Sequence, residues 1–136
     1  MANNPQWYDA TIEDAVNEIT SLLNSGFLEI WTGSQPSLDG SLTGTKLAKL
    51  TFGATAFGSA TASGGTVTAA ANAIGSATAL ATGTAGYFAL LKSDDSTVVA
   101  TGSVGTSGAD LNLNTLSITS GITVSCSSFD ITESQT

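Results

Sequence analysis

The sequence predicts a mainly β domain, an antiparallel β-sandwich or jelly-roll-like fold, carrying one short N-terminal α-helix. Three observations predict it. Only one segment, about Asp9 to Asn24, repeats its apolar residues at three- and four-residue steps; the later segments alternate with period two or run as short apolar stretches. Short strand-like runs recur at roughly 8–12-residue spacing with turn residues between them. The stretch Tyr87–Ser103 reads as a hairpin on which the rest can build, because a two-stranded hairpin alone is at best marginally stable.

In chain order, Met1–Tyr8 is a polar arm ending in Trp7 and Tyr8, where Pro5 and two asparagines disfavour helix. The domain is expected to occupy residues 9–136. In its helix, about 9–24, Ile12, Ala15, Val16, Ile19, Leu22 and Leu23 share one apolar face. Thr11 with Asp14 approximates a capping box, Asp9 competes as cap, and Gly26 is the expected left-handed stop. The sandwich is expected over about 27–132. FLEIW, Phe27–Trp31, reads as a strand with Leu28 and Ile30 on one face and Phe27, Glu29 and Trp31 on the other. Thr32–Thr43 is a loop by its Gly, Pro, Asp and Ser content. Lys46–Phe52 is the next strand, with Ala48, Leu50 and Phe52 together.

Gly53–Thr84 is built from small residues. Thr66–Ala69 and Ser76–Thr82 alternate, which predicts two thin strands, the second with Ala77, Ala79 and Ala81 on one face and with Phe57 and Ile74 as core anchors. In the hairpin, Tyr87–Lys92 and Thr97–Thr101 flank the turn Ser93–Ser96, and Leu90 is expected opposite Val98 or Val99. Gly105–Gly108 is a turn, and Leu111/Leu113 and Leu116/Ile118 are short apolar pairs. The last strand, Ile122–Thr132, changes phase: a bulge near Ser127–Ser128 would bring Ile122, Val124, Cys126, Phe129 and Ile131 to one core. No repeat of fixed period is present.

Composition narrows the function. The chain has 136 residues, enough for one domain that buries about two-thirds of its unfolded surface. Charged residues make up 10% against an average of about 25%, with no histidine and only Lys46, Lys49 and Lys92 as bases. A net charge of −8 argues against nucleic acid, whose binding draws on Lys and Arg, and against an anionic membrane surface. No apolar run approaches the roughly 20 residues of a membrane span. The N-terminus has neither a basic flank nor a long apolar core, so no signal peptide is expected.

No cofactor or metal site is expected. Asp94–Asp95 suits turn chemistry better than acid–base work or calcium, because neighbours in a turn point apart. Asp110, Asn112 and Asn114 share a strand face that reads as a solvated exterior. Cys126, the only cysteine, has no histidine to activate it and is expected to be buried and free. The candidate site residues are instead aromatic: Trp7, Tyr8 and, after the helix, Trp31, as a partner interface. Trp7 and Tyr8 either plug the domain's own sheet or anchor a partner.

FLEIWTGSQP after a short amphipathic helix, then LAKLTF, TGTAGYFALLKSDDSTVVATGSVGTSGADLNLNTLSI and a closing TVSCSSFDI, resembles a family of small virion proteins of tailed bacteriophages and prophages. The resemblance runs from about Asp9 to Thr132 and is most specific over Gly102–Ile118. It implies a non-enzymatic capsid cement or decoration protein with a jelly-roll-like fold. The implied location is the outer capsid surface of a virion made in the bacterial cytoplasm, and the implied partners are the major capsid protein and copies of the chain itself. No catalytic residues come with the family. A tail or neck structural protein would share this composition, and a carbohydrate-binding or adhesin module is a further alternative.

Overall fold

A computed structural model describes residues 6–134. Of the expected arm, residues 1–5 lie outside the described residues, as do residues 135–136 at the other end. The fold is mainly β, 43% strand and 10% helix, with one helix and a curled multi-strand sheet in a sandwich-like arrangement.

The helix α1 spans Asp9–Ser21, three residues shorter at its end than the periodicity predicts. Its N-cap is Tyr8, whose side chain makes no capping bond. Neither expected cap operates, because Asp9 lies inside the first turn and its carboxylate is used elsewhere. At the other end Ser25, not Gly26, takes the left-handed conformation, with φ 57°. Gly26 is needed for space: a Cβ there would stand 2.2 Å from the Leu91 carbonyl oxygen.

Among the described residues twelve strands follow: β1 Phe27–Thr32, β2 Lys46–Phe52, β3 Thr61–Ser63, β4 Thr66–Ala70, β5 Ile74–Gly75, β6 Ala77–Thr78, β7 Gly83–Leu91, β8 Val98–Gly105, β9 Leu111–Asn112, β10 Ser117–Ile118, β11 Thr123–Val124 and β12 Asp130–Ser134. The principal sheet runs β5-β2-β1-β7-β8-β9, with β10 also on β7. A three-stranded sheet β12-β4-β3 and a small pair β11-β6 complete the structure. Among the described residues all strand pairings are antiparallel except β8 with β9, which is parallel.

The layers meet on apolar side chains. Leu28, Ile30, Ala48, Leu50, Phe52, Phe88 and Leu90 of the principal sheet are buried with Val67 and Ala69 of β4 and with Ile12, Val16 and Leu23 of the helical segment. Leu47 joins them, because the register of β1 and β2 slips between Ile30 and Trp31 and skips it. Aromatic rings tie the two sheets. Phe88 and Phe129 meet edge-on at 5.3 Å, Phe129 reaches Phe57 at 6.2 Å, and Phe57 reaches Phe52 at 5.5 Å.

The structure departs from the sequence expectations in the small-residue middle and at the end. A hairpin β3–β4 forms where one strand was expected, turned by Gly64 and Gly65 with φ 61° and 84°, the paired positive angles of a tight hairpin turn. The expected strand Ser76–Thr82 contracts to β6. In the central hairpin Leu90 faces Ala100, and Val98 pairs with Leu91, because a bulge at that point shifts the register. Ile122–Thr132 is not one bulged strand. β11 pairs with β6, while β12 pairs with β4 in another sheet. The phase change marks this crossing: Phe129 plugs the core between the two strands, and Ile122 is left exposed.

Candidate interaction surface

The helix has three flanks, each set by its residue spacing. Ile12, Val16 and Thr20, four apart, point into the core. Beside them Asp9, Glu13 and Asn17, also four apart, accept hydrogen bonds from the backbone of the β3 edge. The Gly65 amide donates to Asp9 Oδ1 at 3.2 Å, Ala62 to Glu13 Oε1 at 2.8 Å and Ala60 to Asn17 Oδ1 at 2.8 Å. A rise of about 6 Å per four helical residues nearly matches two residues of strand, which is why the rungs stay in step. Asn24 extends the ladder past the helix by accepting from the Ala56 amide at 2.9 Å.

The third flank is apolar and faces solvent. Tyr8, Ala15, Ile19 and Leu22 recur at offsets of about 7, 11 and 14 residues, which keeps them in one stripe. Tyr8 is 83% exposed, Ile19 44% and Leu22 38%, and Trp7, just before, is 49% exposed. Ile19 and Leu22, expected with the core, are therefore surface residues. The two aromatic rings alone offer on the order of 250 Å² of exposed surface. That suits the centre of an interface rather than its full extent, which is about 800 Å² per partner. Glu18 and Asp14 border the stripe on its solvent side.

Trp31 sits elsewhere, half-buried on the second face of the principal sheet. Its ring stacks on Tyr87 at 6.3 Å and 16°, and its Nε1 donates to Glu29 Oε1 at 3.2 Å. Glu29 is buried. The Lys46 ammonium stands 2.7 Å from its Oε2, outside good hydrogen-bond geometry, and 5.6 Å from the Trp31 ring centroid. The Tyr87 hydroxyl donates to the Thr43 carbonyl at 2.7 Å and accepts from the Thr43 amide at 3.0 Å, so it straps the loop 33–45 across this face. Burial pushes the Tyr87 phenol above its ordinary value, with Glu29 adding to the rise and the Thr43 bond opposing it. At the tip of the loop Leu38 is exposed. The sequence thus singles out three aromatics, of which Trp7 and Tyr8 lead into the helical stripe and Trp31 belongs to this network.

The remaining candidates take structural roles. Asp94 accepts from the Ser96 and Thr97 amides and from the Thr97 hydroxyl. Those bonds, the Thr97 hydroxyl first, hold its carboxyl down to about 2. Asp95 pairs with Lys49, whose ammonium lies 4.2 Å from the Phe27 ring centroid. Asp110 accepts from the Ser103 amide and hydroxyl, and Asn112 from the Ala109 amide. Both polar side chains therefore hold the turn after β8. Cys126 is buried and free, its thiol donating to the Ser128 carbonyl at 3.2 Å, and burial pushes its pKa up. Among the described residues no group of three or more His, Cys, Asp and Glu could hold a metal ion, and no helix is long and apolar enough to cross a membrane.

No family model matches the chain, and no curated protein or solved structure matches it. Ile19 and Leu22 were missed as surface residues. The signal was Thr20, a polar residue buried at the edge of the core-facing arc away from Ile19 and Leu22, which shows that the core contact lies to one side of the apolar stripe.

Proposed function

We propose that the protein is a non-enzymatic structural component of a tailed-phage virion, a cement or decoration protein that lies on the outer capsid surface and bridges capsid subunits. The family resemblance of Gly102–Ile118 and the flanking segments suggests it. The observation that carries it is the solvent-facing ridge of Trp7, Tyr8, Ala15, Ile19 and Leu22 on a charge-poor domain. Large aromatics at the start of a helix, continued by an apolar stripe along it, serve as anchors when a partner's groove covers them. An acidic chain is repelled by packaged DNA, which favours the outside of a shell over its lining. Repetition over a symmetric lattice then multiplies modest contacts.

Image reconstruction of particles from the phage or prophage that encodes the chain tests this. Density for the domain over the capsid, with the helix toward the major capsid protein, is the expected result. Density confined to tail or neck would assign it there instead, and its absence from purified particles would refute a virion role. Tyr8→Ser with Ile19→Ser should abolish particle binding while leaving the circular dichroism spectrum intact.

A further inference from the structure

We infer that the outer edge of β12, Asp130–Glu133, is a docking site for an extended, Lys- or Arg-bearing segment of another protein, which joins the three-stranded sheet as a fourth strand. The pairing pattern defines this edge. Phe129 stands opposite Ala71, whose amide donates to the Phe129 carbonyl at 2.8 Å. Antiparallel pairs alternate between bonded and non-bonded, so Ile131 and Glu133 exchange hydrogen bonds with Ala69 and Val67 of β4. The amides and carbonyls of Asp130 and Thr132 then point away from β4, and both residues are exposed. Among the described residues nothing pairs with these backbone groups.

Other strand edges are guarded. At the far side of the same sheet, Glu13 of α1 takes the outward Ala62 amide of β3, and Asn17 takes the Ala60 amide just before it. The outer edge of β8 is bulged opposite Leu90 and Leu91. Toward its end Asp110 accepts the Ser103 amide, and β9 pairs with Val104 and Gly105. β12 has none of these devices. Its register with β4 is unbroken, and it holds neither proline nor lysine. An uncovered edge of this kind is a template for another strand. Recognition by strand addition draws its affinity from main-chain hydrogen bonds and its specificity from the side chains beside them.

Charge selects the occupant. Asp130 lies on the outer face of the sheet with Thr132, whose hydroxyl meets that of Thr68 at 3.4 Å. Glu133 falls on the opposite face with Ile131, at the exposed rim of the core. A carboxylate therefore flanks the free edge on each face. The ion pairs of Lys46 with Glu29 and Lys49 with Asp95 use neither of them. An added strand sets its side chains about 4.5–5.5 Å from those of β12, within reach of a Lys or Arg pairing with both carboxylates. A second copy brought edge to edge would set its own Asp130 and Glu133 against them, and like charges so placed repel. The site lies on β12, apart from the helical ridge, and does not depend on the virion reading.

Titration of the full chain with a blocked octapeptide of alternating lysine and valine, followed by amide NMR at low salt, tests it. Saturable binding is expected, with shifts concentrated at Asp130–Glu133. The Asp130 and Thr132 amides should exchange fast in the free chain and slowly in the complex, whereas those of Ile131 and Glu133 are slow in both. The peptide with glutamate in place of lysine should bind roughly tenfold more weakly, and added salt should narrow the difference. A lysine–valine peptide N-methylated throughout donates no backbone hydrogen bond and should not bind. Thr132→Pro removes an outward amide that the fold does not use, so it should preserve the melting temperature and weaken binding about tenfold. Should proline disturb the fold, the N-methylated peptide carries the same test on the wild type. Asp130→Lys with Glu133→Lys should reverse the preference in favour of the glutamate peptide. Protected Asp130 and Thr132 amides in the free chain would overturn the inference, because the edge would already be covered. So would absence of binding by the lysine peptide, equal binding of the glutamate or N-methylated peptide, or binding that a folded Thr132→Pro variant retains in full.

Discussion

Asn17→Ala is expected to destabilise the protein, although alanine is the better helix former. On propensity alone the exchange should stabilise α1 by about 0.5 kcal/mol. Asn17 Oδ1, however, accepts the Ala60 amide at 2.8 Å, and Ala60 is buried. With the acceptor gone, that amide is left without its partner where water has little access, at a cost of roughly 1–3 kcal/mol. The two effects oppose each other and the lost bond is larger, so the net expectation is a loss of about 0.5–2.5 kcal/mol. At this chain length that corresponds to a melting temperature lower by roughly 2–8 °C. Urea unfolding at unchanged m-value and a thermal melt together measure it. Asn17→Asp retains the acceptor and should lose far less. A neutral or stabilising Asn17→Ala would refute the ladder, because only an idle side chain leaves propensity as the deciding term. Adding Glu13→Ala would free the Ala62 amide of β3 as well, and an uncovered edge strand promotes association, which light scattering would register.

Tyr87→Phe removes both bonds to Thr43 and should cost about 1–3 kcal/mol while speeding protease cleavage within 33–45; unchanged stability and cleavage would mean that the strap is not held by the hydroxyl. The Tyr87 phenol titrates above 10.0 when folded, so this contribution is complete below the unfolded value and is lost as pH rises through the folded one, which alkaline unfolding midpoints of wild type and variant would resolve. Asp94 is the opposite case: its folded value of about 2 lies below the unfolded 3.8, so its contribution holds above 3.8 and fades as pH falls toward 2. Asp94→Ala should therefore lower the urea midpoint near neutrality and converge on wild type at about pH 2, and a gap that persists in acid would contradict this. Cys126 should react slowly with a thiol reagent in the native state and quickly in denaturant, since a buried thiol is shielded and poorly ionised; fast native labelling would place it at the surface.

Local signals read well wherever one residue's neighbours decided its environment. FLEIW and KLAKLTF became β1 and β2 because dense apolar residues in short runs leave little choice of partner face. The hairpin turn followed from Asp94, whose short carboxylate reaches amides two and three residues on. What failed depended on non-local partners. Thr61–Ser63 has no apolar pattern of its own and is a strand because β4 pairs with it and Glu13 of α1 satisfies its outward Ala62 amide, with Asn17 holding the Ala60 amide just before it. The parity break before Phe129 was visible, but parity alone cannot separate a bulge from a crossing between sheets. Trp7 and Tyr8 were legible as candidates because nothing local required them. Ile19 and Leu22 were not, since helical periodicity marks an apolar arc without showing how much of it the core covers.

The distribution of charge bears on what each part of the surface can meet. The acidic residues Asp9, Glu13, Asp14 and Glu18 all lie on α1, while the segments that build the β6, β10 and β11 lobe carry none. Two copies of an acidic chain repel over about 8–10 Å at moderate salt, so closely spaced copies need contacts that bring no further carboxylates together. A surface built from the uncharged segments would meet that condition. The ridge, with Glu18 and Asp14 at its margin, instead gains from a groove whose rim is basic, and it disfavours a second copy for the same reason. Electrostatics thereby separates a helical segment on which like-charged copies repel from β segments on which they do not. On the proposed virion role this matters because copies crowded on a shell have to be held through surfaces that add little repulsion, and a lattice adds up small energies.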